Sequence, residues 1–175
     1  MGKSPAIFDM DKLLWLNDHY MKTLPVEVVA ERLKPFIAGQ GHAAPDVAKL
    51  IQIIRNLLGR AKTLKEMTEM ARFFFEEEIE YDSTAKAKFL TPAARPILER
   101  FLSDFRNLPL LDEVSQRALI ETIAKEYGKK LVDVIQPIRV ALSGKTASPG
   151  IFEVIDILGK DVVEKRIERA ISTIS

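Results

Sequence analysis

The sequence of 175 residues lacks cysteine and has only two histidines, and these absences exclude several kinds of chemistry. Without cysteine there is no disulfide, thiolate metal ligand or thiol nucleophile. His19 and His42 belong to no His-x-x-x-His or Glu-x-x-His pair, so the sequence predicts no metal site. A serine nucleophile would require a Gly-x-Ser-x-Gly elbow, which is also lacking. The sequence therefore predicts no catalytic centre.

Long apolar runs and an excess of one charge are lacking as well. No run approaches the roughly 18 to 20 apolar residues of a membrane span. The net charge is +1, so any contact with nucleic acid must come from local clusters of basic residues. The hydrophobic content of 47% is sufficient for the core of one domain or of two small ones.

Apolar residues recur at helical spacing along the chain, and glycine and proline separate the helical stretches. Leu131, Val134, Ile135, Ile138 and Leu142, for example, share one helical face. The pattern predicts helices near residues 10–23, 26–38, 45–58, 64–77, 92–105, 113–127, 130–142, 150–158 and 161–172. The expected fold class is all-α.

Several residues predict where these helices begin and end. Thr63 and Glu66 form the pattern of a capping box, in which both side chains satisfy the first amides of a helix. Ser148 is predicted to cap a helix that has Pro149 as its first residue. Five glycines fall at positions where a helix is expected to end with a residue in the left-handed conformation, namely Gly39, Gly59, Gly128, Gly144 and Gly159.

Three other features interrupt the pattern. Pro35 and Pro137 lie inside apolar helical stretches and predict kinks or short breaks. The stretch "FFFEEEIEYDS" from Phe73 is interpreted as a helix end followed by a loop whose acidic run is solvated. Apolar periodicity lapses at residues 82–88, where we expect a domain boundary.

A phosphate-binding P-loop is suggested by Gly144-Lys145-Thr146 but is excluded by its context. The motif requires a glycine five residues before Gly144, where Arg139 stands, and it should follow a β-strand rather than a helix. Gly2-Lys3-Ser4 has no room upstream for a strand or loop. ATP binding through either motif is therefore rejected.

Basic residues gather around two turns that lead into helices. Helix starts expose amides and carry partial positive charge, so such turns suit phosphates or base edges. Ordinary solvated basic side chains are the other interpretation, and the pattern alone leaves both open. The residues are Arg55, Arg60, Lys62 and Lys65 at the first turn, and Arg139 and Lys145 at the second.

Three segments together resemble one protein family. They are "SPAIFDMDKLLWLNDHYMKTL", "RAKTLKEM" and "VIQPIRVALSGKTASPGIFEVIDILGKDVVEKRIERA". In this order and at similar separations they resemble the C-terminal part of bacterial-type glutamyl-tRNA synthetases. The most specific part combines Q-P-x-R-x-A-L-[ST]-G with [ST]-P-G-[IL]-F and a following L-L-G-K, in which Ile157 replaces the first leucine.

The resemblance implies a tRNA-binding region built from two consecutive helical-bundle subdomains. Residues 1–24 would be a stem-contacting segment, 25–85 the first anticodon-binding subdomain and 86–175 the second. Arg60 matches an arginine that is expected to read the first anticodon base and is associated with rejecting glutamine tRNA. The other anticodon contacts of the family carry over to Arg139, Ser148, Pro149 and Ile151. Candidate phosphate contacts are Arg55, Lys62, Lys65 and Lys145.

The resemblance also implies an enzyme larger than this chain. Such ligases activate glutamate with ATP and Mg²⁺ on a Rossmann-type domain with H-I-G-H-like and K-M-S-K-S-like signatures, which the sequence lacks. We therefore expect an N-terminally truncated piece that is catalytically inactive, holds no cofactor and binds tRNA(Glu), with tRNA(Gln) left open. No DNA or membrane partner is expected, and the parent enzyme is expected to be a cytoplasmic monomer.

Two other interpretations compete with this one. The chain could be a helical protein-interaction module without RNA binding, in which the apolar helices and acidic residues 76–82 dock a partner. RNA binding should weaken steeply with salt, whereas a hydrophobic protein interface should not. An autonomous nucleotide-dependent enzyme would have to bind ATP, for which the sequence has no loop.

Overall fold

The structure is a computed structural model that describes residues 9–174. Within that range the regular elements are helices, which confirms the all-α prediction. Their bounds are α1 (Met10–Thr23), α2 (Val26–Gly39), α3 (Val47–Leu57), α4 (Leu64–Ala71), α5 (Ser83–Phe89), α6 (Arg95–Arg106), α7 (Glu113–Glu126), α8 (Leu131–Ser143), α9 (Ile151–Leu158) and α10 (Lys160–Ser172). None of these helices is both long enough and apolar enough to span a bilayer.

The chain forms two compact units, one ending at Phe75 and the other beginning at Glu76. In the first unit, α2, α3 and α4 pack on one another through apolar faces at helical spacing. Asp9 and Asp46 begin α1 and α3 by accepting the amides of Lys12 and Lys49. Core residues with 0% exposure include Leu33, Ile37, Leu50, Ile53, Ile54, Leu57 and Met67.

In the second unit, α10 packs against α6, α8 and α9, and α7 packs against α6, α8 and α9. The rings of Phe101 and Phe105 stack with centroids 5.2 Å apart at the centre of α6. Fully buried aliphatic residues of this unit include Leu98, Ile120, Ile123, Val134, Ile138, Leu142, Val154, Val163 and Ile167.

The segment around the expected domain boundary differs from the prediction. Residues 83–89 form α5, whose first turn is capped by the Asp82 carboxylate accepting the amide of Ala85 at 2.8 Å. α5 packs on α8, so residues 76–88 lie in the second unit and the units separate at Phe75. Seven residues are too few for a recognisable apolar period. α4 ends at Ala71, earlier than predicted, and continues as a 3₁₀ turn over Arg72–Phe74.

Both internal prolines lie within uninterrupted helices, contrary to the short breaks that the sequence allowed. Pro35 belongs to α2 and Pro137 to α8. Buried residues such as Leu33 and Ile138 flank them, so packing of the apolar face outweighs the lost backbone hydrogen bond.

Four of the five glycines predicted to stop helices have positive φ, and Gly39 does not. Gly39 is the last residue of α2, and Gly41 takes the left-handed conformation instead, with φ of 83°. Gly144 is the most constrained, because it combines φ of 74° with close packing against the backbone oxygen of Glu80. A Cβ atom at Gly144 would overlap that oxygen.

Replacing Gly144 by alanine should therefore destabilise the protein by more than the cost of placing an alanine in the left-handed conformation. We expect Gly144→Ala to lower the free energy of unfolding by about 3 kcal/mol, which combines backbone strain with overpacking. Gly128→Ala is the matched control, since Gly128 has φ of 60° and nothing within 4 Å of its Cβ position. The control should lose about 1 kcal/mol. Urea unfolding of both variants measures the difference, and equal losses would contradict the close-packing argument.

Candidate nucleic-acid interface

The first basic cluster surrounds the turn between α3 and α4, residues 58–63. The carbonyl oxygen of Leu57 accepts the amides of Arg60 at 2.9 Å and Ala61 at 3.2 Å, and Gly59 has φ of 81°. Ala61 is 0% exposed and anchors the turn in the core. The turn is thus closed by local bonds, and the side chain of Arg60 is exposed.

The start of α4 confirms the predicted capping box with one difference. Thr63 Oγ1 accepts the amide of Glu66 at 3.0 Å, as predicted. The carboxylate of Glu66 accepts the amide of Lys62 at 2.8 Å, one residue before the expected partner. The amides of Lys62 and Glu66 therefore already have protein acceptors.

The structure brings further groups to this turn that the sequence analysis did not select. The side chain of Lys22 in α1 packs against Gly59, with its Cε atom 3.5 Å from the position that a Cβ atom of residue 59 would occupy. The ammonium group of Lys22 forms an ion pair with Asp18. Asn17 donates to the carbonyl oxygen of Lys62 at 2.5 Å. No local pattern could have signalled either contact, because residues far apart in sequence make it. All four predicted basic residues of this cluster are exposed, namely Arg55, Arg60, Lys62 and Lys65.

The second cluster is the turn between α8 and α9, residues 144–150, which we call the α8–α9 turn. Arg139, one helical turn before its start, is half-buried. Its guanidinium donates to the Pro149 carbonyl oxygen at 2.6 Å, to the Ser148 carbonyl oxygen at 3.4 Å and to the Ser148 hydroxyl. Ser148 in turn donates to the Pro149 carbonyl oxygen at 2.9 Å. Arg139 therefore ties the far end of the turn back to α8.

Ser143 holds the near end of the same turn, and the sequence analysis missed it. Its side chain is 3% exposed. The hydroxyl lies 2.8 Å from the carbonyl oxygen of Arg139 and 3.1 Å from that of Lys145. The amide of Lys145 lies 3.4 Å from the same hydroxyl. Serine at the end of a helix often bonds to its own backbone, and that tendency was the available signal.

The predicted cap of α9 is wrong. α9 begins at Ile151, Gly150 is its cap residue, and no side chain caps it. Ser148 is not free to cap because Arg139 binds it, and the carboxylate of Glu153 lies against Gly150. Pro149 therefore precedes the helix rather than opening it.

The predicted residues of the second cluster differ in how much surface they present. Pro149 is buried and Ile151 is only 3% exposed, so both belong to the core. Ser148 is half-buried. Lys145 is exposed at the start of the turn. The exposed residues of this turn are Lys145, Thr146 and Ala147, and the Arg139–Ser148 pair lies beside them, half-buried.

Residues 76–82, which we call the strap, pack against α8 and α10. The amide of Asp82 donates to the carbonyl oxygen of Gly144 at 2.9 Å, and Ile79 is 1% exposed. Arg169 pairs with Glu78 at 3.4 Å and lies over the Tyr81 ring. The strap was predicted as a solvated loop, yet backbone groups at both of its ends and the side chain of Ile79 are bound within the second unit. Among the described residues no three or more His, Asp or Glu side chains are grouped as a metal site would require.

Arg166 of α10 is 4% exposed and joins the strap to α8. Its guanidinium donates to the carbonyl oxygens of Leu142 and Glu76, both at 2.6 Å. Burial lowers the pKa of Arg166 to about 10, against the opposing effects of Glu76 and Tyr81. The group is therefore still charged at neutral pH.

The family of the chain follows from its sequence as a whole. The family model for the "Anticodon binding domain" matches residues 28–171. The chain belongs to the anticodon binding domain family. Both basic clusters, including every residue predicted to contact the anticodon or its phosphates, lie inside the matched range, whereas the predicted stem-contacting segment 1–24 lies outside it.

Relatives of this anticodon binding domain include longer proteins. The glutamate–tRNA ligase of Syntrophobacter fumaroxidans is 40% identical over 171 residues, which are 98% of this chain and 36% of that protein. The glutamate–tRNA ligase of Geotalea uraniireducens is 38% identical over 172 residues, with 98% and 37% covered. The chain thus spans just over a third of the length of the curated relatives it matches.

The fold has a counterpart among solved structures. A glutamate tRNA ligase from Elizabethkingia meningosepticum, crystallised in complex with its amino acid, matches 100% of this chain with a TM-score of 0.86. The match covers 34% of that protein at 23% sequence identity, so it establishes a shared fold.

Tyr81 supplies a test of the packing of the strap. Burial raises the pKa of Tyr81 above 10.0, against the lowering effects of Arg169 and Arg166. Because the pKa of Tyr81 is higher in the folded protein, the phenol loses its proton at a lower pH in the unfolded chain. The contribution of Tyr81 to the free energy of unfolding is therefore present below pH 10.0 and is lost as the pH rises further. The difference in phenolate absorbance between the native protein and Tyr81→Phe should show ionisation above that pH. Ionisation at or below pH 10.0 would mean that the strap does not bury this ring.

Proposed function

We propose that this chain is the tRNA anticodon-binding part of a glutamate–tRNA ligase. The observation that carries the proposal is the match of residues 28–171 to the anticodon binding domain family. The names of the relatives point to glutamate. Both basic clusters lie at turns that lead into helices, from which their side chains would reach a splayed RNA loop.

The first cluster is proposed to read the base that distinguishes glutamate from glutamine anticodons. Glutamate and glutamine codons differ at their first base, so their anticodons differ at the third base, which is C for glutamate and G for glutamine, and not at the first base that was expected from the resemblance. Arg60 is exposed on a turn that local bonds hold in place. Its planar guanidinium offers a fixed set of donors to a base edge. Arg55, Lys62 and Lys65 would neutralise neighbouring phosphates.

The second cluster is proposed to bind the other anticodon bases. Arg139 and Ser148 form a polar pair at the α8–α9 turn, and Lys145 stands exposed beside it for a phosphate. Pro149 and Ile151 would act mainly by packing, because both side chains are buried. Their burial holds the turn at the start of α9.

The longer enzyme is proposed to attach glutamate to tRNA(Glu) with ATP and Mg²⁺, as a cytoplasmic monomer. We propose a stem-contacting segment over 1–24 followed by two anticodon-binding subdomains, which the sequence predicted at 25–85 and 86–175. Since residues 76–82 pack in the second unit, the subdomain boundary is best placed at Phe75. The protein-interaction alternative is less favoured, because the strap's backbone and Ile79 are already bound in that unit.

The reading of the third anticodon base can be tested with stem-loops that carry CUC or CUG and are otherwise identical. The native protein should prefer CUC by roughly tenfold, the strength of one charged hydrogen bond, and Arg60→Gln should lose the preference. Fluorescence anisotropy measures both affinities. Arg32→Gln, which removes one exposed arginine from α2, should retain the preference. Equal affinity of the native protein for both stem-loops would contradict the role of Arg60 and would leave tRNA(Gln) a substrate.

The role of the second cluster can be tested by Arg139→Ala. This change removes the donor shared by Ser148 and Pro149, so binding of the CUC stem-loop should weaken by about tenfold or more. The CUC over CUG preference should persist, because a separate turn supplies it. Arg100→Ala, which removes a positive charge from the surface of α6, should leave affinity nearly unchanged. The same anisotropy titration measures all three proteins, and equal weakening by both variants would indicate a nonspecific charge effect.

A further inference from the structure

The buried guanidinium of Arg166 bonds to two segments that are far apart in sequence. One is the end of α8, through the carbonyl oxygen of Leu142, and the other is the strap, through that of Glu76. Taking a charge out of water is costly unless its donors are satisfied. The bonds to these carbonyls therefore hold both segments in place around one side chain.

We propose that Arg166 is a positioning residue that sets the place of the α8–α9 turn by clamping the end of α8 to the strap. This role rests on the proposed function of that turn. Arg166 contacts no RNA in this scheme, since it is 4% exposed. It acts through the backbone that carries Arg139 and Ser148.

A short series of bonds connects Arg166 to the turn. Leu142, whose carbonyl oxygen Arg166 binds, immediately precedes Ser143. The hydroxyl of Ser143 contacts the carbonyl oxygens of Arg139 and Lys145. A shift of the end of α8 therefore moves both the Arg139 backbone and the first residues of the turn.

The strap supports the turn from its other side. The Glu80 backbone packs against Gly144, and the Asp82 amide donates to the Gly144 carbonyl oxygen at 2.9 Å. Glu76 is the first residue of the strap, and Arg166 fixes that end. The strap is thus held at one end by Arg166 and meets the turn at the other. Because the two carbonyl groups come from different segments, the clamp requires one side chain with several N–H donors in a fixed planar arrangement.

Arg166→Lys tests the clamp while keeping the charge. A lysine ammonium is a point charge on a flexible stem and does not reproduce the planar fork. Arg169→Lys is the matched control, because Arg169 lies on the same helix and contacts the strap through the side chains of Glu78 and Tyr81. Arg166→Gln, which keeps one amide donor, is used if the lysine variant does not fold. All measurements are made at a temperature at which thermal unfolding shows each protein to be folded.

Two readouts separate positioning from general stability. Amide hydrogen exchange at Asp82, whose amide donates to Gly144, and at Lys145, whose amide lies 3.4 Å from the Ser143 hydroxyl, reports whether the strap still holds the turn. Anisotropy with CUC and CCC stem-loops reports selectivity at the second anticodon base. We expect Arg166→Lys to speed exchange at these amides and to reduce selectivity for CUC over CCC about fivefold. The CUC over CUG preference should stay within about twofold of the native value, because Arg60 lies on a different turn.

Each outcome decides the proposal. Unchanged exchange at Asp82 and Lys145 in Arg166→Lys overturns the clamp, and so does faster exchange with second-base selectivity intact. Equal effects of Arg166→Lys and Arg169→Lys also overturn it. If the native protein binds no stem-loop, the proposed function fails. In that case faster exchange of the turn in the Arg166 variant alone still supports the clamp.

Discussion

The close approach of the strap to the end of α8 is the constraint on which the second unit depends. It requires a residue without a side chain at Gly144, because the backbone oxygen of Glu80 occupies the place of a Cβ atom. Gly144 also ends α8 with φ of 74°, so one residue both stops the helix and admits the strap. Gly144 is thus the position at which the strap and the start of the α8–α9 turn meet.

The two candidate turns are stabilised in different ways. The turn before α4 is closed by the carbonyl oxygen of Leu57 and by the Thr63–Glu66 capping box, all within a few residues. The α8–α9 turn depends on Arg139 and on the distant Arg166. In the first turn the bonds that close the chain around Arg60 come mostly from near neighbours, with one added bond from Asn17 of α1. The second turn requires the surrounding unit to be folded before its polar groups are in place.

Sequence patterns were most informative where the cause of the structure is local. Helical periodicity predicted most helices, and the cap at Thr63 and the stop at Gly144 follow from rules that span a few residues. The short helix α5 was not predicted, because seven residues show no apolar periodicity. The predicted cap at Ser148 was wrong because Arg139 competes for the same hydroxyl, which a local rule does not take into account.

The sequence by itself determined the all-α fold class, the main helices and the location of the two basic clusters. It also carried the family signature, since the matched range covers most of the chain. The tertiary structure alone decided that Pro149 and Ile151 are buried and that the acidic strap is bound within the second unit. It also decided that Arg166 joins Leu142 to Glu76. The physical reason is that periodicity and capping act between near neighbours, whereas burial and shared hydrogen bonds depend on which distant segments meet.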